Sequence, residues 1–311
     1  MLNLLHSEIY RLRHDCVFYI LLCAAVLSGV VYGITAFDGS FDDMFVVPLF
    51  AISAVYISLS VGREYADGTL RNKIIVGKKK TDIFAVKLIV NIAVSVINVT
   101  AFLIPCIAIL SVNALSKIPN SVLLWTLLGF FLLNISWAAI FTFISLLISS
   151  REIAAILNFI LIIAIMFASY QLEFAIGQPE FIINEELSNQ PMSEEEVKQI
   201  QNGTFAGSYA TEIDDHGVVT YYKTVITEES KQANPDFVSE PFSSVLRGAD
   251  SLLPHGQINE YVYQLTVYVD TTGYDSMEDN MRIKAFPLYS LVLIGFLSAT
   301  GLLLFRKKEI K

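Results

Sequence analysis

The residues with the widest chemical repertoire are thinly spread along this 311-residue chain. Its four histidines, His6, His14, His216 and His255, stand far apart. No His-Glu-x-x-His pair is present to hold a zinc ion and a general base on one helix face. No Gly-x-Ser-x-Gly turn is present to raise a serine nucleophile. The stretch Val76–Thr81, VGKKKT, has the lysine and threonine of a phosphate-binding loop. It lacks the upstream glycine and the preceding strand that such a cradle requires, so the chain is not expected to bind ATP by this motif. The three cysteines, Cys16, Cys23 and Cys106, lie in or beside apolar runs, where a cysteine usually serves as a small buried residue. The sequence therefore predicts neither a catalytic nor a metal site, and no cofactor of its own.

Polar residues inside the apolar runs are the next candidates. Asn91 and Asn98 are seven apart and so share one helix face. Asn134 and Asn158 stand alone in their runs. Each suits a hydrogen bond between packed helices, or the lining of a substrate path, and the sequence leaves both readings open. Glu173 is read as the one acid within a span, near its outer end, where a carboxylate is either functional or simply reaches water. Ion pumps and proton-coupled transporters carry carboxylates or histidine chains at membrane depth, and none is visible at the centre of a span.

These residues sit in a chain that is 54% hydrophobic and 16% charged, with a mean hydropathy of +0.56. Soluble domains carry about 25% charged residues. A membrane span needs roughly 20 apolar residues. Six such runs occur, at about Val17–Ala36, Met44–Gly62, Ile83–Leu110, Ser121–Ser149, Ile153–Ile176 and Ala285–Phe305. The fold class expected is thus an all-α polytopic membrane protein with six transmembrane helices. The first run follows Arg11 and Arg13 but lacks a small-residue cleavage site, so it is read as retained. Pro105 is expected to kink the third.

The basic residues set an orientation. Arg11 and Arg13 precede the first run; Arg63, Arg71, Lys73, Lys78, Lys79 and Lys80 follow the second; Arg151 follows the fourth; Arg306, Lys307, Lys308 and Lys311 follow the sixth. With six spans all of these fall on one side, which the positive-inside rule makes cytoplasmic, together with both termini. The net charge of -9 argues against a nucleic-acid partner. The expected domains are residues 1–176 with five spans, an extracellular α+β domain over 177–284, and 285–311 with the last span and a basic tail. In the polar region, Ser193 and Glu196 form a capping-box start with Gly203 as the stop. Two strand-like runs flank a turn at Asp214–Gly217, and YVYQLTVYV alternates with period two from Tyr261 to Val269, as a strand does.

Between the second and third runs lies GREYADGTLRNKIIVGKKKTDIF, Gly62–Phe84. Tyr65, Leu70, Ile74 and Ile75 suit one side of a short helix, with Arg71 and Lys73 facing elsewhere. Gly68 permits a sharp bend, Thr69 could cap a new turn, and Gly77 ends the pattern. The element, at about 63–80, is either an interfacial helix whose lysines meet anionic lipid or a docking helix for a cytosolic protein.

The segment resembles the coupling-helix region of the permease subunits of type-2 ATP-binding-cassette exporters, of the kind found in Gram-positive bacteria. There a Glu precedes a Gly-Thr-Leu triplet, as Glu64 precedes Gly68, Thr69 and Leu70 here, and Lys80-Thr81-Asp82 match the start of the third span. LLPHGQ at Leu252–Gln257 and the closing GLLLFRKKEIK resemble two further patterns of that family. The resemblance implies a plasma-membrane permease that pairs with a second permease, identical or related, and docks a cytosolic ATPase carrying ATP and magnesium. It implies that Glu64 anchors the coupling helix at the groove of the nucleotide-binding subunit, that Gly68 permits close docking, that Thr69 and Leu70 present contacts, and that Tyr65 and Ile74 belong to the docking element. The substrate expected is hydrophobic or amphipathic: a peptide, drug or lipid. The alternative is a non-transporting sensor or immunity protein, whose acidic external residues (Glu185, Glu186, Glu194, Glu195, Glu196, Asp214, Asp215) attract cationic antimicrobial peptides.

Overall fold

The computed structural model describes residues 1–37, 39, 41–112, 114–183, 189–202, 209–213, 219–224, 231–270 and 281–308. The Asp214–Gly217 turn, the Gly203 stop, Lys311 and the acidic residues Glu185, Glu186, Asp214 and Asp215 lie outside them. The chain divides into two compact units, Met1–Tyr170 with Gly248–Lys311, and Gln171–Arg247. Of the polar region expected as a domain over 177–284, residues 177–247 fall in the second unit and the described residues from Gly248 on fall in the first.

The first unit opens with a short amphipathic helix, α1 (Leu2–Arg13), that the sequence reading did not recognise. Among the described residues six helices long and apolar enough to cross a membrane follow: α2 (Cys16–Thr35), α3 (Val47–Ala66), α5 (Lys80–Leu110), α6 (Asn120–Leu147), α7 (Arg151–Ile176, from Gln171 on in the second unit) and α11 (Met281–Lys307, its span counted from Lys284). Between α3 and α5 lies the seven-residue α4 (Thr69–Ile75). Before α11 come α9 (Phe242–Leu252), which crosses the boundary between the units, and α10 (Pro254–Asp270).

Each expected run is a helix, but the ends differ. α3 continues past Gly62 to Ala66, so Glu64 and Tyr65 belong to a span helix, not to the insert. The short helix is confined to 69–75 within the expected 63–80. α5 starts at Lys80 and continues through Pro105 to Leu110. YVYQLTVYV is helical, within α10. Period two was the wrong frame: Ile258, Tyr261 and Val269 are buried and Tyr263 is 58% exposed, so the buried positions follow helical spacing.

The helices pack through small residues and buried polar pairs. A Cβ on Gly29 of α2 would fall 2.1 Å from the Phe102 carbonyl oxygen of α5, so only glycine fits that crossing. Trp137 of α6 is stacked against Phe50 of α3 and Phe141, at ring-centre separations of 5.4 and 5.2 Å. The basic connections gather at one end of this bundle. There the Lys80 ammonium donates to the Lys308 carbonyl at 2.5 Å, and the Lys308 ammonium reaches Tyr65 Oη at 2.8 Å and the Leu146 carbonyl at 3.1 Å.

The second unit is a small α+β arrangement. Strands β2 (Asn189–Pro191), β4 (Val219–Thr224) and β3 (Tyr209–Ile213) form an antiparallel sheet in that order, and β1 (Phe181–Ile183) pairs with β5 (Lys231–Ala233). The expected capping box is present on α8 (Glu194–Gln201): Glu196 N donates to Ser193 Oγ, and Ser193 N donates back to Glu196 Oε2. Lys223 of β4 ties Glu196 to the sheet at 2.6 Å and holds its carboxyl at about 2, together with the bonds from Ser193.

Candidate functional site

The apolar face of α1 brings Leu4 and, one turn later, Glu8 against the bundle, where both are buried. From α3 comes Glu64, in the helix's last turn and wholly buried. Gly68, at φ +64°, reverses the chain directly after α3. That turn lays α4 back so that Leu70, Lys73 and Ile74, spaced as one helical face, point inward. α5 contributes Lys87 from its second turn, 2% exposed.

These side chains close a five-membered ionic cluster. Lys87 Nζ lies 2.7 Å from both Glu8 Oε2 and Glu64 Oε1. Lys73 Nζ donates to Glu8 Oε1 at 2.6 Å and to Glu64 Oε1 at 2.9 Å. Arg11 Nη1 donates to Glu64 Oε1 at 2.8 Å and lies 3.5 Å from Glu8 Oε1. Burial works to raise the Glu8 carboxyl, but Lys87 and Lys73 outweigh it and hold the group at about 2. A buried ion cluster adds little net stability, yet it fixes geometry, because any alternative arrangement leaves a charge buried and unpaired. Four elements, α1, α3, α4 and α5, are thereby pinned to one another.

The same end carries a second fastening. The Lys308 ammonium, just after α11, lies 4.3 Å from the centre of the Tyr65 ring and donates to its hydroxyl. It also reaches Leu146 O and Ser149 Oγ at the end of α6. Burial lowers this ammonium below the ordinary lysine value. The last turns of α3, α6 and α11 are thus joined through one side chain.

Several sequence expectations change here. Glu64 and Leu70 are both fully buried within this chain. Glu64 is spent on Arg11, Lys73 and Lys87. Lys73 faces inward and Ile75 outward, the reverse of the sequence reading, because α4 turns Leu70, Lys73 and Ile74 to the bundle. Thr69 is the first residue of α4 and not its cap, and its hydroxyl donates to the Glu64 carbonyl at 3.3 Å. Gly77, at φ +87°, ends the segment as expected. The outward face of α4 is Arg71, Asn72 and Ile75, continued by Val76 directly after the helix, the last two 70% and 76% exposed.

The asparagines divide. Asn91 donates to Thr142 Oγ1 at 2.9 Å, joining α5 to α6. Asn158 of α7 donates to Ser58 Oγ of α3 at 2.8 Å and Ser145 Oγ of α6 at 3.1 Å. Asn134 donates to its own helix at Phe130 O, while its carbonyl accepts from Ser95. Asn98 is 1% exposed, and neither end of its amide has a hydrogen-bond partner among the described residues. Glu173 falls in the second unit and is half-buried.

At the other end of the first unit, LLPHGQ has a structural account. Pro254 opens α10, where its missing N–H is not needed. His255 Nε2 lies 3.1 Å from Asp43 Oδ2, which also accepts from the Tyr170 hydroxyl at 2.7 Å. Burial raises the Asp43 carboxyl, but the nearby His255 and the bond from Tyr170 prevail and hold it below its ordinary value. Gly256 leaves room for Asp250, which a Cβ would meet at 2.3 Å. Gln257 donates to Ser251 O and accepts from Ser290 Oγ of α11. The motif thus joins α10 to Asp43 in the turn before α3, to Tyr170 of α7 and to α11.

Glu8, Lys87 and the Asp43–Tyr170–His255 group escaped the sequence reading. For Lys87 a signal existed: a single cation inside an apolar run has to find a carboxylate. Among the described residues no group of three or more His, Cys, Asp or Glu side chains is arranged to hold a metal ion. No family model matches the chain, and no curated protein or solved structure matches it.

Proposed function

We propose that this chain is the membrane-spanning permease subunit of an ATP-driven exporter, moving a hydrophobic or amphipathic substrate out of the cell. On this reading the basic end of the bundle is cytoplasmic, the membrane is the plasma membrane, and the Gln171–Arg247 unit is extracellular. A separate cytosolic subunit binds and hydrolyses ATP, and a second permease, identical or related, completes the pair among the membrane lipids. The observation that carries the reading is α4: a short helix between two spans, held by buried ion pairs to α1, α3 and α5, with a partly apolar outward face. A helix fastened in this way passes a push on its outer face to three other helices, whereas a loosely tethered one would absorb it.

On this reading the roles divide differently from the family resemblance, in keeping with which positions are buried. Glu64, Leu70 and Lys73 hold α4 in place, and Arg71, Asn72, Ile75 and Val76 meet the ATPase. The test is a photoreactive amino acid at position 76 in the otherwise intact chain, irradiated in membranes of its own host. The expected adduct is a protein whose peptides include a phosphate-binding loop and a magnesium-binding aspartate. Adducts containing lipid alone would contradict the reading and favour an interfacial helix.

A further inference from the structure

Away from α4, helices α2, α5, α6 and α10 enclose a cavity of about 90 Å³. Its wall is nearly all hydrocarbon and aromatic carbon, with Tyr32, Phe102, Cys106, Phe130, Ile258 and Leu265 facing it. Three lining side chains carry hydroxyls, Tyr32, Thr126 and Tyr261, and the last two lack partners among the described residues. Tyr261 is 3% and Thr126 8% exposed, and both line the cavity. Neither the Tyr261 phenol oxygen nor Thr126 Oγ1 has a hydrogen-bond partner among the described residues. A helical threonine commonly donates to the carbonyl one turn back. Thr100 does so to Val96, but Thr126 does not.

The position of the phenol depends on a neighbouring glycine. A Cβ on Gly129 would fall 1.7 Å from Tyr261 Oη, so α6 has a glycine where that hydroxyl lies. Gly129 is three residues from Thr126, on the same helix face, which brings both hydroxyls to one strip of the wall. Buried donors without partners cost free energy, and a bound acceptor would remove that cost. A water bonded to both hydroxyls would leave most of the cavity of about 90 Å³ unfilled, since the rest of the wall is nearly all apolar. No charged side chain lines the cavity, so an ionised ligand would be buried without a counter-ion. Leu103, Ile107, Leu123 and Leu127, on the α5 and α6 side of the wall, are only partly buried.

We propose that this cavity binds the neutral ester end of an alkyl chain. The ester carbonyl oxygen accepts from Tyr261 and Thr126, the first carbons lie against Phe102, Cys106 and Phe130, and the rest of the chain leaves between α5 and α6. The inference does not depend on an ATPase partner. A membrane glycerolipid and a small acyl ester offer the same chemistry.

The test uses the full chain in nanodiscs and a fatty-acyl methyl ester with a diazirine close to its carbonyl. The matching free acid and a phosphatidylcholine bearing the same chain are run alongside. The methyl ester is expected to label peptides carrying Phe102–Cys106 and Thr126–Phe130. Tyr261→Phe, which removes one oxygen and keeps the ring, is expected to lower that labelling by about fivefold or more, the loss of one hydrogen bond to the ligand. The free acid is expected to label these peptides more weakly than the ester. Cys106→Phe, which fills the cavity, is expected to abolish the labelling; if it misfolds, Tyr261→Phe decides alone. Labelling by the phosphatidylcholine with the same Tyr261 dependence assigns the ester to a membrane lipid, and its absence assigns it to a small ester. Equal labelling in wild type and Tyr261→Phe, or labelling confined to the outward-facing Ile104, Leu124 and Leu128, would overturn the proposal.

Discussion

Lys87→Met removes the most deeply buried cation of the ionic cluster and keeps a side chain of similar length. In the wild type three cations, Arg11, Lys73 and Lys87, face two carboxylates, Glu8 and Glu64. After the substitution Glu64 keeps Arg11 and Lys73, but Glu8 Oε2 loses the donor that stood 2.7 Å away. Removing one partner of a buried pair costs about 3–5 kcal/mol, and the two remaining cations place this case at the lower end, about 3 kcal/mol. The cost falls on α1, which the cluster holds to the bundle through Glu8. At about 1.4 kcal/mol per tenfold, amide exchange of α1 should quicken by roughly a hundredfold through local opening. Hydrogen–deuterium exchange read by mass spectrometry in nanodiscs measures this, with α6 peptides as an unchanged reference. Adding Glu8→Gln, which neutralises the orphaned acid, should restore about tenfold of the protection. Exchange of α1 within about threefold of wild type in Lys87→Met would refute the claim that these ion pairs fasten it.

Three further outcomes are expected. The Glu8 carboxyl titrates at about 2 in the folded chain against an ordinary 4.5, so its contribution to holding α1 is complete above about pH 4.5 and is lost as pH falls toward 2. Exchange of α1, corrected for intrinsic rates, should rise across that window in wild type and stay flat in Glu8→Gln. Gly29→Ala should lower the unfolding midpoint in detergent, by about 1–3 kcal/mol of stability, because its Cβ meets the Phe102 carbonyl at 2.1 Å. Gly295→Ala, with nothing within 4 Å, should leave the midpoint unchanged or raise it. Tyr65→Phe keeps the ring under Lys308 but loses the hydroxyl that accepts its 2.8 Å bond, so the last turn of α11 should exchange faster while α2 does not.

The apolar runs were legible in the sequence because length and hydrophobicity decide a span with little help from tertiary context. Ser193 with Glu196, and the strands that became β3 and β4, were legible for the same reason: their signals are local. Glu64 was not. Its position in the chain was noticed, but its burial depends on Glu8 and Lys87, 56 residues upstream and 23 downstream, and no local pattern encodes that meeting. The orientation of α4 was misread because Leu70, Ile74 and Ile75 are equally apolar, and the sequence does not say that Lys73 has two carboxylates waiting for it. In α10 the tyrosines and valines satisfy strand and helix spacing alike, and packing of Ile258, Tyr261 and Val269 against the bundle chose the helix. His255 was read as one of four scattered histidines, since Asp43 and Tyr170 come to it from distant helices.

The central claim is that the outward face of α4 is where an ATP-hydrolysing subunit engages this chain. It is tested most directly by purifying the tagged full-length chain from membranes of its own host and measuring the magnesium-dependent ATPase activity that co-elutes. The account predicts activity with wild type and its loss by about tenfold or more in Ile75→Glu/Val76→Glu, since charge replaces two exposed apolar contacts, at equal yield of chain. Wild-type preparations carrying no more ATPase activity than an unrelated membrane protein, or a double variant that retains it fully, would contradict the account.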